Sequence, residues 1–402
     1  MYSSTRPPAL DQATPLLGGL TPRQFMRDYW QQKPLLIRQA FPEFRAPLSV
    51  REVQTLARRD EVESRLVTRK ENGWTLKRGP FRRLPAADQP NWTLLVQSVD
   101  LHDDETAALM RLFRFIPDAR LDDAMISIAT DGGGVGPHYD SYDVFLLQAH
   151  GRRRWRTSQQ ADRTLVPGLP LKILADFQPG TDDVLEPGDM LYLPPNACHD
   201  GTAVGDGCMT ISIGFRVPSE ATLARGLLEA AADQISAQHL GDSGLYGDPV
   251  LPGADLSALY SDAGSDATDH PAALPAALVR ATLDTLQRIR LDEPVAARFL
   301  GQWLTTLPDN AFFDPADDRP TLQENVPATG SLVLDRCTRL MYFGAQLFVN
   351  GEVAPVGVPP ELQALADNRR LGATAIQGLP GTVRTLLDEW LQEGWAHWDP
   401  QP

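Results

Sequence analysis

Gly132-Gly-Gly-Val-Gly-Pro-His138-Tyr139-Asp140, followed downstream by Glu186-Pro-Gly-Asp-Met190-Leu-Tyr-Leu193-Pro-Pro195 and then His199, is the stretch on which the reading of this chain turns. Side chains two apart on a strand face the same way, so the His138 imidazole and the Asp140 carboxylate can reach one ion together. His199 supplies a third donor. Two neutral imidazoles and a carboxylate that leave other positions open form the facial triad suited to non-haem Fe(II) and dioxygen. The glycines before His138 allow positive φ and a sharp turn into the strand. They make no phosphate loop, since Gly-Lys-Ser/Thr is missing. The downstream run reads as a tight turn, a short apolar strand and a proline stop that brings His199 across a barrel.

Around this centre, residues 124–217 alternate short β-rich runs with Gly, Pro and Asp turns, as in an all-β barrel or double-stranded β-helix rather than a βαβ unit. The clearest strands are Ala124–Ala129, Val144–Leu147, Arg152–Arg156, Met190–Leu193 and Thr210–Phe215. In Arg152-Arg-Arg-Trp-Arg156 the period of two puts Arg153 on the face of Trp155, the residue expected to be buried, and Arg152, Arg154 and Arg156 on the other. A buried arginine needs an anion. A carboxylate ligand would fit its planar fork, with a structural acidic neighbour as the alternative.

Gly-Gly-Gly-Val-Gly-Pro-His138-Tyr-Asp140, Tyr142-Asp-Val-Phe-Leu-Leu-Gln148, Gly151-Arg-Arg-Arg-Trp-Arg156 and Pro187-Gly-Asp-Met-Leu-Tyr-Leu-Pro-Pro-x-x-x-His199 resemble the bacterial ribosomal oxygenases, in the jumonji-C branch of the 2-oxoglutarate oxygenases. The resemblance is dense over 120–217, extends to Asp28–Arg38 and thins beyond 220. It implies an α+β chain with a double-stranded β-helix (jumonji-C/cupin jelly roll) over 20–217, a helical dimerisation region over 218–306 and a winged-helix-like domain over 307–402. It implies metal ligation by His138, Asp140 and His199. The cosubstrate anchor would be Arg153, with Ser127 near the cosubstrate; a strand serine can equally be satisfied by backbone alone. Fe(II), 2-oxoglutarate and dioxygen are the implied cofactors. Hydroxylation of an arginine of a large-subunit ribosomal protein, with release of succinate and CO2, is the implied reaction, and nothing in spacing or composition indicates arginine. Asp131 and Asp143, beside the metal strand, are candidates to hold a guanidinium, or else turn formers. Competing readings are a jumonji-C oxygenase acting on tRNA or an N-methyl group, and a non-catalytic cupin-like scaffold that binds a ribosomal component.

Composition narrows the partners. The formal net charge is −15, which disfavours a phosphate backbone as the main partner and suits a basic protein, or simply solubility. Cys198, Cys208 and Cys337 form no spaced metal cluster and no even disulfide set, which points to a reducing cytoplasm. No segment has the length of a signal peptide core or a membrane span. His102, His150, His239, His270 and His397 lack spaced partners and are assigned to solvent or packing.

Along the chain, the Ser-, Thr- and Pro-rich Met1–Gly19 is expected to be poorly ordered. Thr21 and Pro22 then open a helix with Phe25, Tyr29 and Trp30 on one side. Strands are expected at Trp74–Lys77 and Trp92–Val96, and a helix after Asp103. Beyond Pro218, Leu223, Leu227, Leu228, Ala231 and Ile235 make one amphipathic face, Gly241–Asp269 is a separator, and Leu278, Leu283, Leu286 and Ile289 make a second. Phe299, Leu300, Trp303 and Leu304 make a third. These faces fold back as core or pair two subunits, and the resemblance favours a homodimer. The last part, with Leu347–Glu352 strand-like, helices at 361–369 and 383–391 and a strand at Trp395–Trp398, holds six Lys/Arg against thirteen Asp/Glu over 308–402. An acidic module of this kind repels nucleic acid and reads as a protein contact or structural appendage.

Overall fold

A computed structural model describes residues 6–71, 73–240, 256, 258–315 and 319–400, without the side chains of 236–240. It divides into two compact units, residues 1–217 with 309–312, and residues 218–308 with 313–402.

The first unit is built on ten strands: β1 (Leu35–Ile37), β2 (Ser64–Lys70), β3 (Gly73–Arg78), β4 (Trp92–Val96), β5 (Leu121–Ala129), β6 (His138–Tyr139), β7 (Val144–Ser158), β8 (Thr181–Leu185), β9 (Met190–Leu193) and β10 (Cys198–Phe215). Its helices are α1 (Pro22–Asp28), α2 (Val50–Leu56) and α3 (Asp104–Arg111). Local chemistry starts each helix as the sequence requires. Thr21 and Gln24 form a reciprocal capping box with Pro22 in the first turn, and the Asp103 carboxylate accepts from Thr106 N–H.

All pairing is antiparallel, in the order β1-β9-β7-β10-β5-β4-β2-β3, with β6 on β10 and β8 on β7. The two long strands explain the barrel. β7 pairs β9 through Val144–Leu147 and β8 through Arg153–Thr157, while β10 takes β6 at its start and β5 from Cys208 onward. Each long strand thus serves both halves of a double-stranded β-helix. The runs Val144–Leu147 and Arg152–Arg156, expected as separate strands, are one strand. Gly151 takes φ +63°, and the register against β10 shifts between Val204 and Met209, so the strand bends without losing its partner.

One face of these strands is apolar. Phe145, Leu147, Tyr192, Ile211, Ile213 and Phe215 pack under Phe25, Trp30, Leu109 and Phe113, the core that fixes the barrel. Leu16 and Leu17 join it from a short 3₁₀ turn, Pro15–Leu17, capped by Thr14. The described part of the N-terminal stretch is therefore ordered, against the sequence expectation, because two buried leucines outweigh its Pro-rich composition.

The second unit contains α4 (Glu220–Leu240), α5 (Ala276–Arg288), α6 (Glu293–Thr305), β11 (Ser331–Leu334), β12 (Leu340–Phe343), β13 (Gln346–Val349), β14 (Glu352–Val353), α7 (Pro360–Asn368), β15 (Arg370–Gly372), α8 (Ala373–Gln377), α9 (Gly381–Gln392) and β16 (Ala396–Asp399). Sheets β15-β11-β16 and β12-β13-β14 close with α7, α8 and α9 over a core centred on Leu332, Leu347, Leu362, Leu387 and Trp390. The Gly301 backbone of α6 lies so close to the Phe348 ring that an added Cβ would sit 2.3 Å from it, which seats α6 on β13. By contrast, α5 buries none of its residues, and Leu283 and Leu286 are more than half exposed. Most of the Gly241–Asp269 separator, and the His239 side chain, lie outside the described residues. No described helix is long and apolar enough to cross a membrane.

Candidate metal centre

His138 opens β6 and stands opposite His199 at the start of β10, so a two-residue strand pairing is what brings the distant histidine to the His-x-Asp pair. The three ligand atoms lie within 4.8 Å of one another. His138 Nε2 and His199 Nε2 are 3.9 Å and 3.7 Å from the same Asp140 oxygen, Oδ2. Two donors each about 2.1 Å from one ion are at most about 4.2 Å apart, so a single ion spans these distances.

Backbone carbonyls set the tautomers. His138 Nδ1 donates to Gly136 O at 2.8 Å and His199 Nδ1 donates to Ala197 O at 2.9 Å, which leaves both Nε2 lone pairs free to face the carboxylate. Burial first, and then the neighbouring His138, push the His199 imidazolium below its ordinary range. A neutral imidazole is the form a metal needs. The glycine run has a steric role here. Gly136 has φ +79°, and an added Cβ would come within 2.8 Å of both Ile173 and Trp74.

The same wall carries Arg153. In register, Thr157 faces His199 and Arg153 faces Ala203, so beyond the bend at Gly151 the odd-numbered residues of Arg153–Thr157 and His199–Ala203 line one surface. Arg153 is 4% exposed. Its Nη1 donates a long 3.4 Å bond to Gly201 O, while Nε and Nη2 have no partner. No acidic side chain meets it among the described residues. Its outward neighbours behave differently: Arg154 pairs with Asp182 and Arg156 with Asp200. Buried guanidinium donors without an acceptor are costly, and a carboxylate ligand supplies what they lack. Trp155 lies against the His199 ring, with centroids 5.8 Å apart, and over Gly201, where any Cβ would strike the indole at 2.5 Å. Ala129, Ala203 and Cys208 keep the adjoining wall small. Residues and space thus fit a metal ion with a dicarboxylate cosubstrate.

Ser127 is buried on β5 opposite Thr210, to whose carbonyl its hydroxyl donates at 3.5 Å. Thr210 in turn donates to Gln148 Oε1 at 3.0 Å. Of the two acidic residues expected at the mouth, Asp143 is placed otherwise. Asp143 is fully buried and accepts from Tyr192 Oη at 2.6 Å, Gln31 Nε2 at 3.0 Å and Arg120 Nη2 at 3.4 Å. It belongs to the barrel's fabric and cannot receive a substrate. Asp131 accepts from Gly205 N–H at 2.7 Å, as a turn former does.

A different acid, Asp123, shares a neighbour, Tyr142, with the metal ligand Asp140, and nothing in the sequence points to it. On β5 it accepts from Ser98 N–H and Oγ and from Gln97 Nε2. Burial, then neighbouring Asp122, push it up to about 6. Burial, then Asp140 and Asp123, push the Tyr142 phenol up as well, so this ring lies close enough to both carboxylates to feel them. The Leu121-Asp-Asp-Ala124 start of β5 gives no sign of this, because the approach of β5 to residue 142 is tertiary.

A double-stranded β-helix with a His-x-Asp pair and a distant His on its inner wall is the architecture of a non-haem oxygenase, and the JmjC domain model matches residues 108–223. A ROXA-like winged-helix model matches 288–397. The chain is 34% identical over 363 residues to the ribosomal protein uL16 3-hydroxylase of Escherichia coli, covering 87% of this chain and 89% of the relative. It is 30% identical to a probable ribosomal oxygenase of Haemophilus influenzae, covering 94% and 96%. The solved structure of YcfD, a ribosomal oxygenase from Escherichia coli, in complex with cobalt and 2-oxoglutarate superposes with a TM-score of 0.76 at 30% identity, covering 94% of this chain and 98% of that one. This chain belongs to the ribosomal oxygenase family.

Proposed function

We propose that this protein is an Fe(II)- and 2-oxoglutarate-dependent hydroxylase that modifies an arginine side chain of a large-subunit ribosomal protein. The observation that carries the reading is the pairing of a three-donor centre, His138, Asp140 and His199, with the unpartnered guanidinium nitrogens of Arg153 on the same wall. Bound there, iron(II) with 2-oxoglutarate and dioxygen supplies oxidative hydroxylation of a C–H bond, with succinate and CO2 released. The chain's own residues do the placing. His138 and His199 would present Nε2, Asp140 would present a carboxylate oxygen, and Arg153 would hold the far carboxylate of the cosubstrate with its open guanidinium donors. Ser127 adds a hydroxyl to that wall. Trp155 and the small residues Gly201, Ala203 and Ala129 shape the space and keep water out.

Arginine as the target is supported by Asp123. A carboxyl desolvated beside another carboxylate, and without a cation partner among the described residues, is short of a positive charge, which a guanidinium supplies. Tyr142 offers its ring to the aliphatic part of the same side chain. The relative's name, a uL16 hydroxylase, supports a ribosomal protein as the carrier of that arginine. The exposed leucines of α5 support pairing of two copies through the helical region.

The test incubates the protein with iron, 2-oxoglutarate and paired ribosomal-protein peptides in which one arginine is kept or replaced by lysine. A gain of one oxygen atom on the arginine peptide alone is expected, because a pocket built for a planar fork rejects a compact ammonium. Equal hydroxylation of both peptides, or of neither while 2-oxoglutarate is consumed with another substrate, would remove arginine from the reading.

A further inference from the structure

The β2–β3 hairpin contrasts in charge with the rest of the chain. Residues 65–83 hold seven Lys/Arg, namely 65, 69, 70, 77, 78, 82 and 83, against the single acid Glu71, in a chain of net charge −15. All but Arg65 are exposed, and none forms an ion pair among the described residues. Arg65 and Arg78 stand directly opposite in register, a like-charge pairing that costs stability. Edge protection does not account for this. β3 is the edge strand of the sheet, and a lysine or two there would discourage strand addition. The cations, however, also occupy the inner neighbour β2 and continue past the hairpin to Arg82 and Arg83.

An aromatic platform accompanies them. Trp74 is half-buried, lies under the Arg69 guanidinium with 5.8 Å from that carbon to the ring centre, and packs at Gly136, two residues before His138. Arg69, Lys70, Glu71 and Asn91 also line an open groove of about 710 Å³. The cationic strip therefore lies on the first unit, on the side from which the chain enters the metal strand.

We infer that this hairpin docks the sugar-phosphate backbone of RNA, with Trp74 available for stacking. Exposed cations interleaved with an aromatic are the groove chemistry that holds a nucleic-acid strand without reading its sequence. The choice of RNA over other polyanions rests on the proposed ribosomal substrate, a protein whose own partner is ribosomal RNA. RNA is here the partner that carries the substrate to the barrel and is not the substrate itself.

The experiment measures anisotropy of a fluorescein-labelled single-stranded RNA of mixed sequence, about 20 nucleotides long so as to exceed a typical binding site. It compares the full-length protein with Arg69→Glu/Lys77→Glu/Arg78→Glu and with the milder triple Gln variant. A labelled polyglutamate peptide of similar length is the second probe. The wild type is expected to bind RNA with a steep salt dependence. Three lost phosphate contacts should lower the slope of log K against log salt by about 2, and the Glu variant should bind at least about tenfold more weakly near 0.1 M salt. The Gln variant should fall between the two. Equal RNA affinity in wild type and both variants would overturn the inference, as would absence of RNA binding in the wild type. Tighter binding of polyglutamate than of RNA would overturn it in favour of an acidic protein partner. Turnover of the free arginine peptide is read on the same samples and should be equal in all three proteins. Failure of that turnover in the wild type counts against the proposed function and leaves the RNA result to be judged separately.

Discussion

The two faces of β7 and β10 are made from the same strands and do opposite work. On the outer face Phe145 is fully buried with its centroid 4.9 Å from Phe113, 4.9 Å from Tyr192, 5.4 Å from Phe25 and 5.8 Å from Phe215. On the inner face Arg153 keeps two donors without acceptors, and glycine and alanine stand where larger residues would fill the space. The outer face is satisfied and the inner face is left wanting. Stability is thereby built on one side of each strand and reactivity on the other, with the alternation of side chains keeping them apart.

The sharpest way to break this contrast is to change the metal ligands. His138→Ala, Asp140→Ala and His199→Ala should each bring iron-dependent succinate formation to background, while thermal unfolding without metal stays within a few degrees of wild type. Wild-type turnover in any one of them would dissolve the triad. Phe145→Ala should do the reverse. It should cost about 3–5 kcal/mol in denaturant unfolding, with turnover per folded molecule retained. A loss below about 1 kcal/mol would show that the outer face is not where the stability lies.

Arg153→Lys keeps a charge and loses the fork. It should raise the KM for 2-oxoglutarate about tenfold or more and leave the peptide KM nearly unchanged. A larger rise for peptide would move the cosubstrate anchor elsewhere. The smallest effect is expected at Asp123. Its carboxyl, ordinarily near 3.8, titrates near 6 in the fold, so the folded state holds the proton more tightly than the unfolded one. The unfolded chain then binds fewer protons between those values, and stability should fall as pH rises from about 4 to about 6. Asp123→Asn should flatten that slope and raise Tm slightly at neutral pH. Turnover of the arginine peptide should fall in this variant, and in wild type it should drop as pH falls below about 6. A steeper slope in the variant would remove Asp123 from both roles.

The metal-ligand pattern and the inward arginine were legible in the sequence, because they follow from short-range rules. His138 and Asp140 are two apart, Arg153 shares parity with Trp155, and a tight turn with a short apolar strand precedes His199. The helix starts at Thr21 and Asp103 were equally legible, since a cap is a local hydrogen bond. The fate of the acids was fixed instead by long-range contacts. Asp131, Asp143 and Asp123 all flank glycine or strand residues, and nothing local distinguishes them. Tyr192, Gln31 and Arg120 come from distant segments to absorb Asp143, and Gly205 comes across a hairpin to meet Asp131. Asp123 is left near Tyr142 with no cation partner among the described residues. The continuity of β7 through Gly151 was hidden for the same reason. A positive-φ glycine ends a strand or bends it, depending on whether a partner strand keeps pairing on both sides of the bend, and β10, a segment distant in sequence, keeps that pairing here.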